Sequence, residues 1–304
     1  MSERIHVDAA CVVLTWNQRE VTLRFLESLV EARGDMDLGV LVFDQGSEDA
    51  TDAAIRERFP EVDVHRNPIN LGVASGRNAG AALALERFQP RFLVFLDNDL
   101  ILTPGFFDAL LAPLDADPRL GQTQAKLRFL DDPERLNDGG GCRIRWWLGE
   151  TLPVRFGELD EGQRDTPAPC ISCGGAMAVR ADLFSELGGF DAVFDPVGPE
   201  DLDFSLRLQG EGHGALYVPQ AMAFHAVNHS FGGGAYTEDY AQHKARNWLV
   251  FMMRHAQLHQ KLGFFLVGAP WLALRAASRE IRSGNLGALR GWVRGLIELA
   301  RRSS

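Results

Sequence analysis

Apolar residues in the first hundred positions fall into short unbroken runs separated by stretches of helical spacing. Ala10–Thr15, Val40–Asp44, Val62–Arg66 and Phe92–Asp97 read as strands, and Glu20–Ala32, Ala50–Phe59 and Ala74–Phe88 as helices. Strands alternating with helices of roughly 10–15 residues predict βαβ units around a mainly parallel sheet. After Pro104 the rhythm changes. Leu120–Leu127 reads as a strand, and residues 131–169 as a long, partly irregular insertion rich in Gly, Pro, Asp and Glu, with Trp146-Trp147 in its middle. Ile171–Arg180 ends in a short strand, Ala181–Gly188 and Pro199–Gln209 read as helices, and Ala215–Val218 and Met222–His225 as strands. From Tyr236 onward the pattern is helical. The expected organisation is an α/β unit over 1–234 followed by a helical region over 235–304, with no internal repeat.

With 304 residues, 46% hydrophobic and 24% charged, the composition is that of an ordinary globular chain. The net charge of −10 argues against a general nucleic-acid binder. That charge is unevenly spread: residues 275–304 carry seven Arg and two Glu, a net of +5, which leaves the rest near −15. A basic tail on an acidic body points to an anionic partner such as a membrane surface. Gly284–Ala300 places Leu286, Leu289, Val293, Leu296 and Ile297 on one helical face and Arg290, Arg294 and Arg301 on another. Leu262 to Leu274, the longest charge-free apolar run, is too short to span a bilayer. Contact with lipid and packing on the domain or on a second subunit account for these helices equally well. Cys11, Cys142, Cys170 and Cys173 include one Cys-x-x-Cys pair but no second pair to complete a zinc site, and no apolar signal region opens the chain. The expectation is reduced cytosolic thiols.

The most informative chemistry is Asp97-Asn98-Asp99, at the end of Phe92–Leu96. Side chains two apart on a strand face the same way, so both carboxylates would meet at the C-terminal edge of the sheet, where open α/β sheets bind ligands. Their repulsion is relieved by a divalent cation, and hard oxygen ligands favour Mg²⁺ or Mn²⁺. The competing account of an isolated Asp-x-Asp is a polar turn capping the next helix. Five further segments change the balance. Thr15-Trp16-Asn17 and Asp44-Gln45-Gly46-Ser47 follow the first two strands, where polar groups line a nucleotide pocket or cap helices. An Asp at position 44 can accept the imide N–H of uracil or thymine. Asn70 to Asn78 carries Gly72 and Gly76 for close backbone approach, and Arg77 to pair with a carboxylate or a diphosphate. Gly198-Pro199-Glu200-Asp201-Leu202-Asp203 opens a helix whose dipole stabilises carboxylates, and Asp201 in a pocket could deprotonate a sugar hydroxyl. His225, with His229 nearby, is either structural or a third metal ligand beside Asp99.

The order and spacing of these segments, from about Ala9 to about His229, resemble the inverting glycosyltransferases of family 2 with the GT-A fold. Cys173-Gly174-Gly175-Ala176-Met177, Phe184-x-x-x-Gly188-Gly189-Phe190-Asp191 and Glu200-Asp201-x-Asp203 resemble the middle section of its bacterial rhamnosyltransferase-like branch. The resemblance implies a Rossmann-like, mostly parallel sheet flanked by helices, with 1–234 as the catalytic domain. It implies that Thr15, Asn17 and Asp44 hold the nucleoside, and that Arg77 and Asn78 support its pocket. Asp97 would contact the ribose, and Asp99 with His225 would hold the Mn²⁺ or Mg²⁺ on the diphosphate. Asp201 would be the base, Glu200 would position the acceptor, and Gly174 and Gly175 would leave room for the sugar ring. The implied reaction is inverting transfer from a dTDP-rhamnose or UDP-sugar donor to a hydroxyl of a glycan or lipid-linked saccharide. The implied location is cytoplasmic, at the inner face of the cell membrane if the tail meets lipid; a homo-oligomer stays open. Gln45 departs from the Asp or Asn usual before that Gly. Trp146 and Trp147 fit stacking on acceptor sugars, dipping into a membrane, or core packing.

Two other classes compete. A nucleotidyltransferase would open with a basic Gly-rich loop after the first strand, which Thr15-Trp16-Asn17-Gln18 is not. A non-catalytic nucleotide- or sugar-binding module would tolerate loss of Asp99 or Asp201. A dehydrogenase is disfavoured because no dinucleotide loop follows the first strand.

Overall fold

A computed structural model of the chain describes residues 6–172, 174–226, 237–284 and 286–302. Cys173, His229 and Tyr236 therefore lie outside the described residues. The first half folds as the alternation predicts: β1 (Ala9–Thr15), α1 (Arg19–Arg33), β2 (Leu38–Asp44), α2 (Thr51–Arg58), β3 (Asp63–Arg66), α3 (Val73–Phe88) and β4 (Phe92–Asp97). β4 runs parallel to β1, β1 to β2 and β2 to β3.

The apolar runs are unbroken because both faces of the sheet are covered. Ala9, Cys11 and Val13 of β1 join Leu23, Phe25, Leu26 and Leu29 of α1 in one core. Ala10 and Val12 face the other way, onto Ala74, Ala81 and Ala84 of α3. The small residues of α3 let it lie close: a Cβ on Gly80 would sit 2.7 Å from Val12 Cγ1.

Past β4 come β5 (Leu100–Leu102), α4 (Phe106–Ala116), β6 (Leu120–Phe129), β7 (Leu136–Asp138), β8 (Cys142–Arg145), β9 (Glu150–Pro153) and β10 (Ala168–Pro169). The expected insertion over 131–169 is thus only partly irregular. β8 and β9 form a separate hairpin, while β7 pairs with β6. The helix α4 was not expected; it buries Phe106, Phe107, Leu110, Leu111 and Leu114 in the first core. β11 (Ala176–Arg180), α5 (Ala181–Glu186), α6 (Glu200–Gly210) and β12 (Gly214–His225) follow. The two expected strands near 220 are one, interrupted by a register shift between Val218 and Met222. The main sheet runs β10-β12-β6-β11-β4-β1-β2-β3. β12 is parallel to β6, but β11 is antiparallel to both β4 and β6, so the mostly parallel sheet that the sequence predicts is mixed on this side.

The C-terminal region consists of α7 (Glu238–His255), α8 (Leu258–Gly263), a π-turn over Phe264–Gly268, α9 (Ala269–Ser283) and α10 (Leu286–Arg302). Phe251 and Met252 of α7 share a third core with Cys142, Phe194, Leu202 and Phe264. The buried Asn247 donates to the carbonyls of Phe194 (2.6 Å) and Val197 (2.8 Å), so α7 fixes the loop leading into α6. Trp146 stacks on Phe251 with ring centroids 6.0 Å apart, whereas Trp147 is exposed and lies over Gly263. No helix among the described residues is long and apolar enough to cross a membrane.

Candidate active site

β4 ends at Asp97, and a two-residue turn carries the chain into β5. β5 pairs antiparallel with β12, setting Leu100 opposite His225. This pairing brings His225 Nε2 to 3.1 Å from Asp99 Oδ1. Asp97, Asp99 and His225 each offer one ligand atom, all within 4.8 Å of one another. Asn98 turns the opposite way and donates to Gln18 Oε1 (2.8 Å) and Thr22 Oγ1 (2.9 Å), which locks the turn onto α1.

The donor set fits a hard or borderline divalent cation: two carboxylates and one imidazole. The ring of His225 is oriented from behind, because Nδ1 lies 2.9 Å from Asn137 Oδ1. A carboxamide oxygen only accepts, so Nδ1 carries the proton and Nε2 is the nitrogen presented to the cluster. Burial works against protonation of His225, but the hydrogen bond and charge of Asp99 outweigh it and raise its pKa. Burial also raises Asp97; Arg77 pulls it down and Asp99 pushes it up.

Arg77 connects this cluster to the start of α6. Its guanidinium donates to Asp97 Oδ1 (2.9 Å) and to Glu200 Oε1 (3.1 Å), and is buried. It is therefore committed to carboxylates, the first of the two partners the sequence allowed, and acts as a strut between the two acidic segments. Burial and the neighbouring Asp201 push Glu200 up to about 8, against the pull of Arg77. Burial also raises Asp201, again opposed by Arg77. A half-buried carboxylate held above its ordinary pKa is suited to accept a proton.

Gly174 and Gly175 have φ of +78° and +71°, a region that favours glycine. A Cβ on Gly174 would lie 2.6 Å from Asp201 Oδ2, and one on Gly175 would lie 3.9 Å from Asp97 Oδ2. The pair thus forms a thin wall between Asp201 and the acidic cluster; Asp201 leaves no room for a Cβ on Gly174, and at Gly175 the tight neighbour is Leu127 Cδ1 at 3.0 Å. The loop is backed by Gln124, which donates to the Gly174 carbonyl (3.1 Å) and to Asp138 Oδ2 (3.2 Å).

The other expected site residues are engaged within the chain as follows. Thr15 is buried, with its hydroxyl 2.8 Å from Thr22 Oγ1. Asn17 ties the first two loops together: its N–H donates to Ser47 Oγ and its Oδ1 accepts from Glu48 N. Asp44 Oδ1 accepts from Ser47 N and Oγ; Oδ2 has no hydrogen bond and lies 3.6 Å from Arg66 Nε. Asn78 uses both ends of its amide on the backbone of Phe190, whose ring lies under the Arg77 guanidinium. Its support of the site is indirect, through Arg77.

Gly72 and Gly76 do permit close approach, but not to a ligand. The carboxylate of Asp195 accepts from Ala74 N and Ser75 N at the start of α3, and the side chain of Gln45 fills the space a Cβ on Gly76 would need. Gln45 Oε1 accepts from Leu71 N (3.0 Å), which gives the departure at this position a structural role. Asn137 and Gln124 were missed, since nothing in their local spacing marks them and both act across strands distant in sequence.

Comparison with known proteins gives a consistent result. The family model for glycosyl transferase family 2 matches residues 10–188. The N-acetylglucosaminyl-diphospho-decaprenol L-rhamnosyltransferase of Mycobacterium tuberculosis is 28% identical, over 92% of this chain and 97% of its own length. Polypeptide N-acetylgalactosaminyltransferase 8 of Drosophila melanogaster is 31% identical over 70% of this chain, which corresponds to 37% of that longer protein. Among solved structures, GalNAc-T7 with UDP, GalNAc and Mn²⁺ superposes with a TM-score of 0.65 at 18% identity, over 85% of this chain and 50% of its own. A mannosyltransferase from Pyrobaculum calidifontis in complex with GDP-Man and Mn²⁺ gives 0.58 at 18% identity, over 98% of this chain and 88% of its own.

Proposed function

The chain belongs to glycosyl transferase family 2, and from that premise we propose that it transfers a sugar, with inversion, from a nucleoside diphosphate donor to a hydroxyl of a lipid-linked saccharide. The observation that carries the reading is the juxtaposition of Asp97, Asp99 and His225 with Asp201 across the Gly174-Gly175 wall, with Arg77 bridging Asp97 and Glu200.

Asp201 takes the proton of the acceptor hydroxyl as its oxygen attacks the anomeric carbon. The bond to the diphosphate breaks with oxocarbenium character, and a single displacement inverts the configuration. No second nucleophilic carboxylate is required. Asp97, Asp99 and His225 would hold Mn²⁺ or Mg²⁺, which when bound offsets the charge of the leaving diphosphate. Arg77 opposes the upward pull of burial on Asp97 and fixes Glu200, which positions the acceptor. Asp44 presents Oδ2 toward the imide N–H of a uracil or thymine base once Arg66 is displaced. The similarity to a rhamnosyltransferase named for a decaprenol-linked substrate supports dTDP-rhamnose as donor and a prenyl-diphosphate saccharide as acceptor. Such an acceptor implies a peripheral position at the inner face of the cell membrane.

The test is incubation of the purified chain with dTDP-rhamnose, or with UDP-sugars, and a short-chain prenyl-diphosphate N-acetylglucosamine. The expected result is a disaccharide product of inverted anomeric configuration by NMR. Retained configuration would contradict the single displacement, and donor binding with no transfer to any hydroxyl acceptor would favour a binding module.

A further inference from the structure

The amphipathic segment formed by α8, the π-turn and α9 presents apolar residues that neither the three cores nor the catalytic reading uses. Leu258, Leu262, Leu266, Leu274 and Ile281 are all exposed, Leu258, Leu266 and Leu274 by 72–76%. The first three recur every four residues and Leu274 follows at twice that interval. An α-helix of 3.6 residues per turn would let such a row drift round its surface, but the π-turn over Phe264–Gly268 is wider and absorbs part of the drift. The exposed Trp147 lies over Gly263 on the same segment. The inner side of the segment is occupied: Phe264 is buried in the third core, and Gly268 packs against the backbone of Trp147 and Leu148. The outward row is therefore not needed to hold the fold.

We propose that this face docks the protein, lying flat, on an anionic lipid bilayer. Charge selects the occupant. The row ends beside the exposed Arg282, and the next helix carries the exposed Arg290, in a segment whose sequence is net +5 on a body near −15, two of its arginines (Arg275 and Arg294) pairing with Glu150 and Glu238. Anionic headgroups attract this end and repel the rest, so the approach is oriented. A second copy of this chain brings a basic C-terminal segment of the same sign, which disfavours a dimer there relative to an anionic surface. The geometry is that of an interfacial helix, with leucines at the acyl boundary and arginines at the headgroups.

The test is flotation of the full chain with vesicles of phosphatidylcholine and phosphatidylglycerol in equal parts, against pure phosphatidylcholine, without substrates. The wild type is expected to float with the anionic vesicles, less so at 0.5 M salt. Leu262→Gln with Leu266→Gln, and separately Arg282→Glu with Arg290→Glu, are each expected to lower vesicle partitioning at least tenfold. Both pairs should keep the wild-type circular dichroism and donor-nucleotide affinity, which shows that the fold and site are intact. Wild type that stays unbound to anionic vesicles overturns the proposal. So do variants that float like wild type, or a wild-type dimer that the Leu pair converts to monomer with no vesicle binding in either. Because no sugar transfer is read, failure here leaves the reaction standing, and failure of the reaction leaves docking standing.

Discussion

At the residue scale, burial shifts the protonation of Asp201, and a single neighbour, Asn137, orients the ring of His225. Asp201→Asn removes the base while keeping its shape. It should lower kcat by about 10²–10⁴ with donor-nucleotide affinity unchanged, since general-base assistance is worth that much. Asp201 must be ionised to act, and burial raises its pKa, so activity should rise with pH through a limb above the ordinary Asp value of about 4. A kcat/KM profile already flat from pH 4 would contradict this. Asn137→Ala should weaken Mn²⁺ binding by roughly tenfold or more, because it frees the ring of His225 to rotate; paramagnetic resonance of free Mn²⁺ reads this without turnover. Asp97 and Asp99 were legible in the sequence because a strand end and a two-residue spacing mark them. Asn137 was not, because its only signature is a contact with a residue 88 positions away.

At the scale of elements, the alternation of β1 to β4 with three helices was readable because continuous apolar runs and 3.6-residue spacing are local properties. Where pairing is non-local the sequence was silent. Nothing local tells that β11 runs antiparallel between β4 and β6, or that β5 pairs β12 and so carries Asp99 to His225. The helix α4 was overlooked although its buried residues recur at helical spacing, with Pro104 just before it and Pro113 within it interrupting the pattern. Leu110→Ala in that helix should cost about 2–5 kcal/mol in a urea titration, the usual range for a fully buried leucine. Gly174→Ala should act locally instead. Its φ of +78° and the closeness of Asp201 leave no room for a Cβ. Activity is expected to fall by at least tenfold with little change in thermal midpoint; an unchanged rate would show that the wall is not as tight as described.

At the scale of the whole molecule, the C-terminal helices are joined to the acidic start of α6 through Asp203. This buried carboxylate accepts from Arg207 Nε (2.7 Å), Arg254 Nη1 (2.7 Å) and His255 Nε2 (2.8 Å), tying α6 to α7. Burial opposes its ionisation, but these three partners hold its pKa down at about 2. A carboxylate whose pKa is lower folded than unfolded stabilises the fold above the unfolded value, and the contribution is lost as pH falls through the folded one. It is worth about 2 kcal/mol at neutral pH and should fade between about pH 4 and pH 2. Asp203→Asn should flatten that part of the stability curve.

The cluster of Asp97, Asp99 and His225 at the end of β4 is expected to bind a nucleoside diphosphate through a divalent cation. Calorimetric titration of UDP and dTDP into wild type and Asp99→Ala, with Mn²⁺, with Mg²⁺ and with EDTA, tests it most directly. The expected result is binding that needs the cation and is lost in the variant, with the preferred nucleotide naming the donor base. Binding that survives both EDTA and the substitution would return Asp97-Asn98-Asp99 to a structural turn and contradict the account.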